Sequence, residues 1–303
     1  MRTDSFHEGE LAVQQRTGHR LAGRIRETIP PVAAAFLMEH QFCVVAGRDD
    51  TGRMWTSMLD GPAGFMSVDD ERTMRVRACP QPQDPLYRLM TSGGDIGTIV
   101  MDHRYRMRVN GILAPTADGF TVHAEQVFSN CGRYISERHG ILESPRPGRV
   151  STGNELSKDQ MDLVRSADAF YIGTCHPDGA SDASHRGGDP GFVKVDAPGA
   201  LRWPDYDGNG MFMTLGNLAL DPRVGLLFLD WSEGTLLHIS GRAVVDWDQA
   251  SAAALPGAQR VVGMNIDTVQ VREHAVPMHW TPPVLSRFNP TDLTLAEAVA
   301  AGR

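Results

Sequence analysis

Sliding the chain against itself by 127 residues aligns residues 52–69 with residues 179–196 without a gap. Seven of the pairs are identical: Gly52/Gly179, Ser57/Ser184, Gly61/Gly188, Gly64/Gly191, Phe65/Phe192, Val68/Val195 and Asp69/Asp196. An offset of 128 pairs residues 96–102 with 224–230, and one of 130 pairs Val109-Asn110-Gly111 with Ile239-Ser240-Gly241. Offsets that drift by a few residues mark a duplicated domain with small loop insertions, far beyond the roughly 20–50-residue period of solenoids. At 303 residues and 41% hydrophobic content the chain has enough apolar mass for about two cores. It is therefore expected to fold as two copies of one unit.

The copies differ in their reactive groups. The second carries Ser184-His185-Arg186-Gly187-Gly188, where the first has Ser57-Met58-Leu59-Asp60-Gly61. A guanidinium offers a planar fork of donors suited to phosphate, and glycine lets the backbone approach a bulky ligand. The same residues also suit a polar turn with a solvated arginine. Ser184 is shared with the first copy and fits a requirement of the fold as well as a ligand contact; His185 and Arg186 are what the second copy adds.

Residues 14–28 are polar, with Leu21 and Ile25 at helical spacing, and Pro30-Pro31 opens a short apolar helix through Met38. Segments 41–47 and 53–59 read as a hairpin. Segments 65–68, 74–77, 97–102, 106–113 and 119–127 complete about six strands, enough to close a small barrel. The second copy repeats the order with a helix near 157–166 and strands at 170–175, 181–184, 192–195, 200–203, 225–231, 235–245 and 261–271. The expected fold class is mainly β with short helices, as two tandem six-stranded antiparallel barrels. Residues 1–142 would form the first barrel with a helical N-terminal extension, 150–281 the second, and 282–303 a peripheral tail. Prolines and a glycine between 145 and 148 suit an exposed linker.

A net charge of −8 without a Lys/Arg stripe argues against nucleic acid as a partner. The N-terminus shows no basic region followed by an apolar core, and no run of about 18 apolar residues exists, so neither a signal peptide nor a membrane span is expected and a cytoplasmic protein is the default. Cys43, Cys79, Cys131 and Cys175 form no CxxC pair, and the histidines show no metal-ligand spacing, so no metal is assigned. The chain also lacks a nucleophile elbow, a Walker loop and a Rossmann fingerprint, which removes the hydrolase, nucleoside-triphosphatase and dehydrogenase readings.

Residues 201–218, with Trp203-Pro204-Asp205-Tyr206-Asp207-Gly208-Asn209 at their centre, followed by Asp221-Pro222-Arg223 and an apolar strand, resemble the FMN-binding split barrels related to pyridoxamine 5′-phosphate oxidase. Phe128-Ser129-Asn130-Cys131-Gly132-Arg133-Tyr134-Ile135 looks like a segment of that group's predicted flavin-nucleotide-binding branch. The resemblance covers nearly residues 6–275. It implies Greek-key split barrels and an FMN whose phosphate is held by one barrel and whose ring is covered by the other. Both barrels would here lie in one chain, an intrachain pseudo-dimer with a homodimer also open. The turn at 204–209 carries no base, unlike the family's oxidases, so Arg186 would hold the phosphate with neutral donors.

The cofactor contacts so implied are Ser184, His185, Arg186 and Gly187, Trp203 and Tyr206, Asn209, Thr214 and Asn217, and, reaching over from the first barrel, Asn130, Cys131 and Tyr134. For several of these a plainer role stands beside the ligand role: Trp203 as core, Asn209, Thr214 and Asn217 as helix caps. The function implied is a flavin-dependent oxidoreductase acting on a small molecule, with a flavin carrier or a barrel binding haem or F420 as alternatives. No catalytic residue is assigned.

Overall fold

The repeat in the sequence is also a repeat in space. The computed structural model describes residues 6–19 and 25–290. The first half contains α1 (Glu8–Thr17), α2 (Pro31–Glu39), β1 (Phe42–Arg48), β2 (Met54–Asp60), β3 (Met66–Asp70), β4 (Thr73–Val76), α3 (Tyr87–Ser92), β5 (Gly94–Met101), β6 (Tyr105–Thr116) and β7 (Gly119–Cys131). Short strands β8 (Gly140–Leu142) and β9 (Val150–Gly153) flank the exposed linker. The second half contains α4 (Lys158–Ser166), β10 (Ala169–Cys175), β11 (Ser181–Gly187), β12 (Lys194–Ala197), β13 (Ala200–Asp205), α5 (Met213–Leu220), β14 (Arg223–Asp230), β15 (Thr235–Asp246), α6 (Gln249–Ala253), β16 (Arg260–Arg272) and β17 (Met278–Trp280).

Both sheets are antiparallel with the same strand order, β2-β1-β5-β6-β7-β4-β3 and β11-β10-β14-β15-β16-β13-β12, while β9 pairs with β16 and β17 with β8. Register repeats as well: Val45 faces Ser57 as Ile172 faces Ser184, and a bulge at Asn110/Gly111 recurs at Ser240/Gly241. This is the split-barrel class, with seven strands in the shared path of each sheet, and β9 as an eighth in the second, where about six were expected.

Each half buries its own apolar cluster, one around Leu37, Met74 and Phe120 and the other around Trp203, Phe170 and Phe228. A third cluster, including Val44, Met58, Ile99, Tyr171, Ala183 and Leu227, joins the halves. Backbones meet there. A Cβ on Gly97 would lie 2.6 Å from Asp182 Cα, and one on Gly225 would lie 2.6 Å from Trp55 Cα, so both copies need glycine at this crossing.

Two expectations change. The N-terminal helix is Glu8–Thr17, fixed by a capping box in which His7 Nδ1 accepts from Gly9 N–H and the Glu10 carboxylate accepts from His7 N–H. Arg26 instead bridges to Val127; residues 20–24, including Leu21, lie outside the described residues. The segment after Trp280 is not wholly peripheral, since Val284 bridges to Glu137 and the buried Asn289 donates to Asp189. Residues 291–303 lie outside the described residues. All four cysteines are free, Cys43 and Cys175 buried. No described helix is long and apolar enough to cross a membrane.

Candidate functional site between the halves

Beyond Ser184, strand β11 runs to the boundary between the halves, and the turn at residues 206–212 leads from β13 into α5 at the same place. Together with β6, β7 and residues 132–135 of the first half they border a cleft with a cavity volume of about 110 Å³. Ser184, His185, Arg186, Gly187, Tyr206, Asn209, Thr214, Asn130, Cys131 and Tyr134 all line it. Their convergence from both halves needs the fold, because the two groups are far apart in sequence.

Trp203 and Asn217 do not line it. Trp203 is fully buried in the second core, edge-on to Phe170, because its position on β13 points into the barrel. Asn217 lies one turn into α5, where its Nδ2 donates to Thr174 Oγ1 and its Oδ1 accepts from His7 Nε2. It anchors α1 rather than a ligand.

Arg106 and Arg108 are the residues that sequence reading missed. They sit two apart on β6, so both project to one face of the strand. Arg108 forms a buried pair with Asp182, its Nη1 donating to both carboxylate oxygens at 3.1 Å. Arg106 donates to Arg133 O and, at 3.2 Å, to His185 Nδ1, and no carboxylate among the described residues pairs with it. Burial, then the charges of Arg108 and Arg186, pull its guanidinium down to about 9. Arg186 is lowered by burial too, although Asp205 at 3.9 Å offsets part of that. The cleft therefore holds more cation than carboxylate in partly desolvated positions, a state that an anion relieves.

Other donors face the same space. Phe212, the residue before α5, is held at φ 58° and gives the helix no side-chain cap, and Met213, Thr214 and Leu215 of its first turn line the cleft. An uncapped helix start presents free N–H groups and a positive dipole end. Thr214 Oγ1 donates to Ser184 Oγ, which donates to Asp182, so Ser184 is held by the protein network. Burial, then Arg106, lowers His185 well below the usual imidazole range. With Nδ1 accepting from Arg106, its proton is on Nε2.

Tyr134 and Tyr206 border the cleft with ring centroids 5.1 Å apart. Tyr134 has φ 62° and donates its hydroxyl to Asp207 O, tying residues 132–135 of the first half to the turn of the second. Tyr134 and Phe212 are two of the three described non-glycine residues with positive φ, and such strain concentrates at ligand sites.

The equivalent place in the first half is built differently. Strand register matches Arg106 with Leu236 and Arg108 with His238, and the repeat matches Arg186 with Leu59. Asp84, just before α3, accepts from Ser57 Oγ and pairs with Arg272, all three buried. A carboxylate of the protein thus occupies the position that the second half leaves open.

One described group has metal-like proximity: His7, Glu8 and His176, too distant in sequence for spacing to reveal. His7 Nδ1 accepts from Gly9 N–H and His176 Nδ1 from Asp178 N–H. Each Nε2 then carries a proton toward a carboxylate, which makes the group a hydrogen-bond and ion-pair network.

Residues 156–277 match the family model described as pyridoxamine 5′-phosphate oxidase. A solved structure from Lactobacillus delbrueckii, provisionally described as such an oxidase, is 22% identical over 39% of this chain and 94% of that one, with a TM-score of 0.33. An FMN-binding protein from Syntrophomonas wolfei shares 9% identity over 36% of this chain and 84% of that one, with a TM-score of 0.26. A FAD-binding protein from Mesorhizobium loti shares 17% identity over 41% and 97%, also with a TM-score of 0.26. No curated protein matches the chain.

Proposed function

We propose that the cleft binds FMN and that the protein is a flavin-dependent oxidoreductase acting on a small molecule. The observation that carries this reading is Arg106, a half-buried guanidinium without a carboxylate partner among the described residues, beside Arg186 and the uncapped start of α5. That donor set fits a phosphate monoester, which arginine forks and helix N-termini both favour. Tyr134 and Tyr206 suit the flat faces of a ring system. The match of the second half to the oxidase family supports the same ligand.

Arg186, Arg106 and the N–H groups of Met213 to Leu215 would hold the phosphate, and Tyr134 would cover the ring. The bound flavin would supply the hydride and electron chemistry. Neutral His185 offers an N–H donor from Nε2 and no positive charge. Residues 132–135, tied across the cleft by Tyr134, would keep water from the covered face.

Two arginine variants test the reading through FMN affinity, measured by quenching of flavin fluorescence. Arg186→Ala is expected to weaken binding by about ten- to a hundredfold, the range for losing a charge-assisted hydrogen bond. Arg106→Met is expected to weaken FMN binding comparably while making the ligand-free protein more stable to urea, because an uncompensated buried charge is removed. FMN binding unchanged in both variants overturns the assignment.

A further inference from the structure

A second cavity of about 60 Å³ lies between the halves and shares His185 with the cleft, with Arg106, Arg108 and Arg186 lining only the cleft. Its walls include Tyr171, Trp231 and Trp280, with Ser136 and Arg138 from the segment that joins the halves. Tyr171 and His185 face each other across the β10–β11 ladder with ring centroids 5.7 Å apart. The first copy has Val44 and Met58 at these two positions, so the polar lining is specific to the second.

The donors here have no protein acceptor. Tyr171 is 1% exposed, and its Oη, like Ser136 Oγ and Trp231 Nε1, lacks a hydrogen-bond partner among the described residues. A buried donor left unmade costs about 1–3 kcal/mol, and these three, with Arg138 Nε also unpartnered, call for an acceptor inside the cavity. The acceptor's charge can be read from the neighbours. Arg138 is neutralised by a two-pronged pair with Asp168, at 2.7 and 2.9 Å, and Asp102 also lines the cavity. Burial raises the Tyr171 hydroxyl well above its ordinary value, so it stays a neutral donor. No uncompensated cation waits for an anion, in contrast to the cleft. Aromatic walls favour a flat occupant.

We infer that this cavity is the subsite for the carbonyl end of the reacting molecule, taking the carbonyl oxygen of an uncharged, conjugated compound such as an aromatic aldehyde or a quinone, whose ring is larger than the cavity and stays outside it. The inference rests on the flavin reading for the word reacting; the recognition chemistry stands on the cavity alone. His185 then forms the wall shared by the two sites.

The test uses 4-methoxybenzaldehyde as probe, with 4-methylanisole and 4-methoxybenzoate as controls, on the full chain labelled with ¹⁵N at the tryptophan indoles. The aldehyde is expected to shift the Trp231 indole resonance, assigned through Trp231→Phe, and the ether to leave it in place. Tyr171→Phe and Ser136→Ala are each expected to weaken aldehyde binding about tenfold while FMN affinity is retained. Equal binding of aldehyde and ether, tighter binding of the benzoate, or no response of Trp231 overturns the proposal. FMN binding without an aldehyde response leaves the flavin reading standing, whereas an aldehyde response in a chain that binds no FMN supports the cavity and removes the flavin.

Discussion

Glu10 shows how far one residue can carry pH into stability. It is fully enclosed between α1 and α5, with a Cβ on Gly216 falling 2.4 Å from its Cγ. Burial outweighs the hydrogen bond from His7 N–H and raises its carboxyl to about 8. His7 lies 3.3 Å away, but burial lowers that imidazole, so it offers little charge at neutral pH. Between the unfolded value near 4.5 and about 8 the native state holds the extra proton. Stability is thus full below this window and falls as pH rises through it. Glu10→Gln is expected to match the parent near pH 4.5 and exceed it by a few kcal/mol at pH 8.5 in urea unfolding. A gap that does not widen with pH would refute this. At the same scale, His185 and Arg186 were legible because the first copy holds Met58 and Leu59 in their places. Arg106 and Arg108 were not, since alternating arginines on a strand look the same whether the face meets water or a cleft.

Elements were easier to read than their ends. Helices α2 and α4 each span nine residues at the offset of the repeat, because both satisfy the same packing against equivalent strands. Helix α1 was misplaced: two apolar residues at helical spacing signalled less than the local cap set by His7 and Glu10, in which an imidazole stands where the usual signature has Ser, Thr, Asp or Asn. The assembly of the cleft was equally hidden, depending on how residues 132–135 lie against the end of β11. Gly187 marks that contact, as a Cβ there would sit 1.8 Å from Tyr134 O. Gly187→Ala is expected to push the segment outward, weaken FMN binding at least tenfold and cost about 1–3 kcal/mol of stability. Retained FMN affinity in a folded variant would show that residues 132–135 do not cover the ligand.

For the whole molecule, duplication made two equivalent clefts possible, and the sequence of each half decides which is open. The second half leaves Arg106 without a carboxylate; the first fills the matching place with Asp84, held by Ser57 and Arg272. With FMN as the proposed ligand, one FMN per chain is expected, measurable by equilibrium dialysis; two per chain would show that the first cleft is also open. The closed half then serves as the wall that presents Arg106, Arg108 and Tyr134 to the open one. Its closure depends on charge. Asp84→Asn keeps the shape and the acceptor for Leu86 N–H but leaves Arg272, 5% exposed at its side chain, without its counter-ion. Breaking a buried pair from one side costs about 3–5 kcal/mol. The variant is therefore expected to unfold at markedly lower urea. Unchanged stability would show that Arg272 finds another partner and that the first cleft is closed by its packing rather than by the carboxylate.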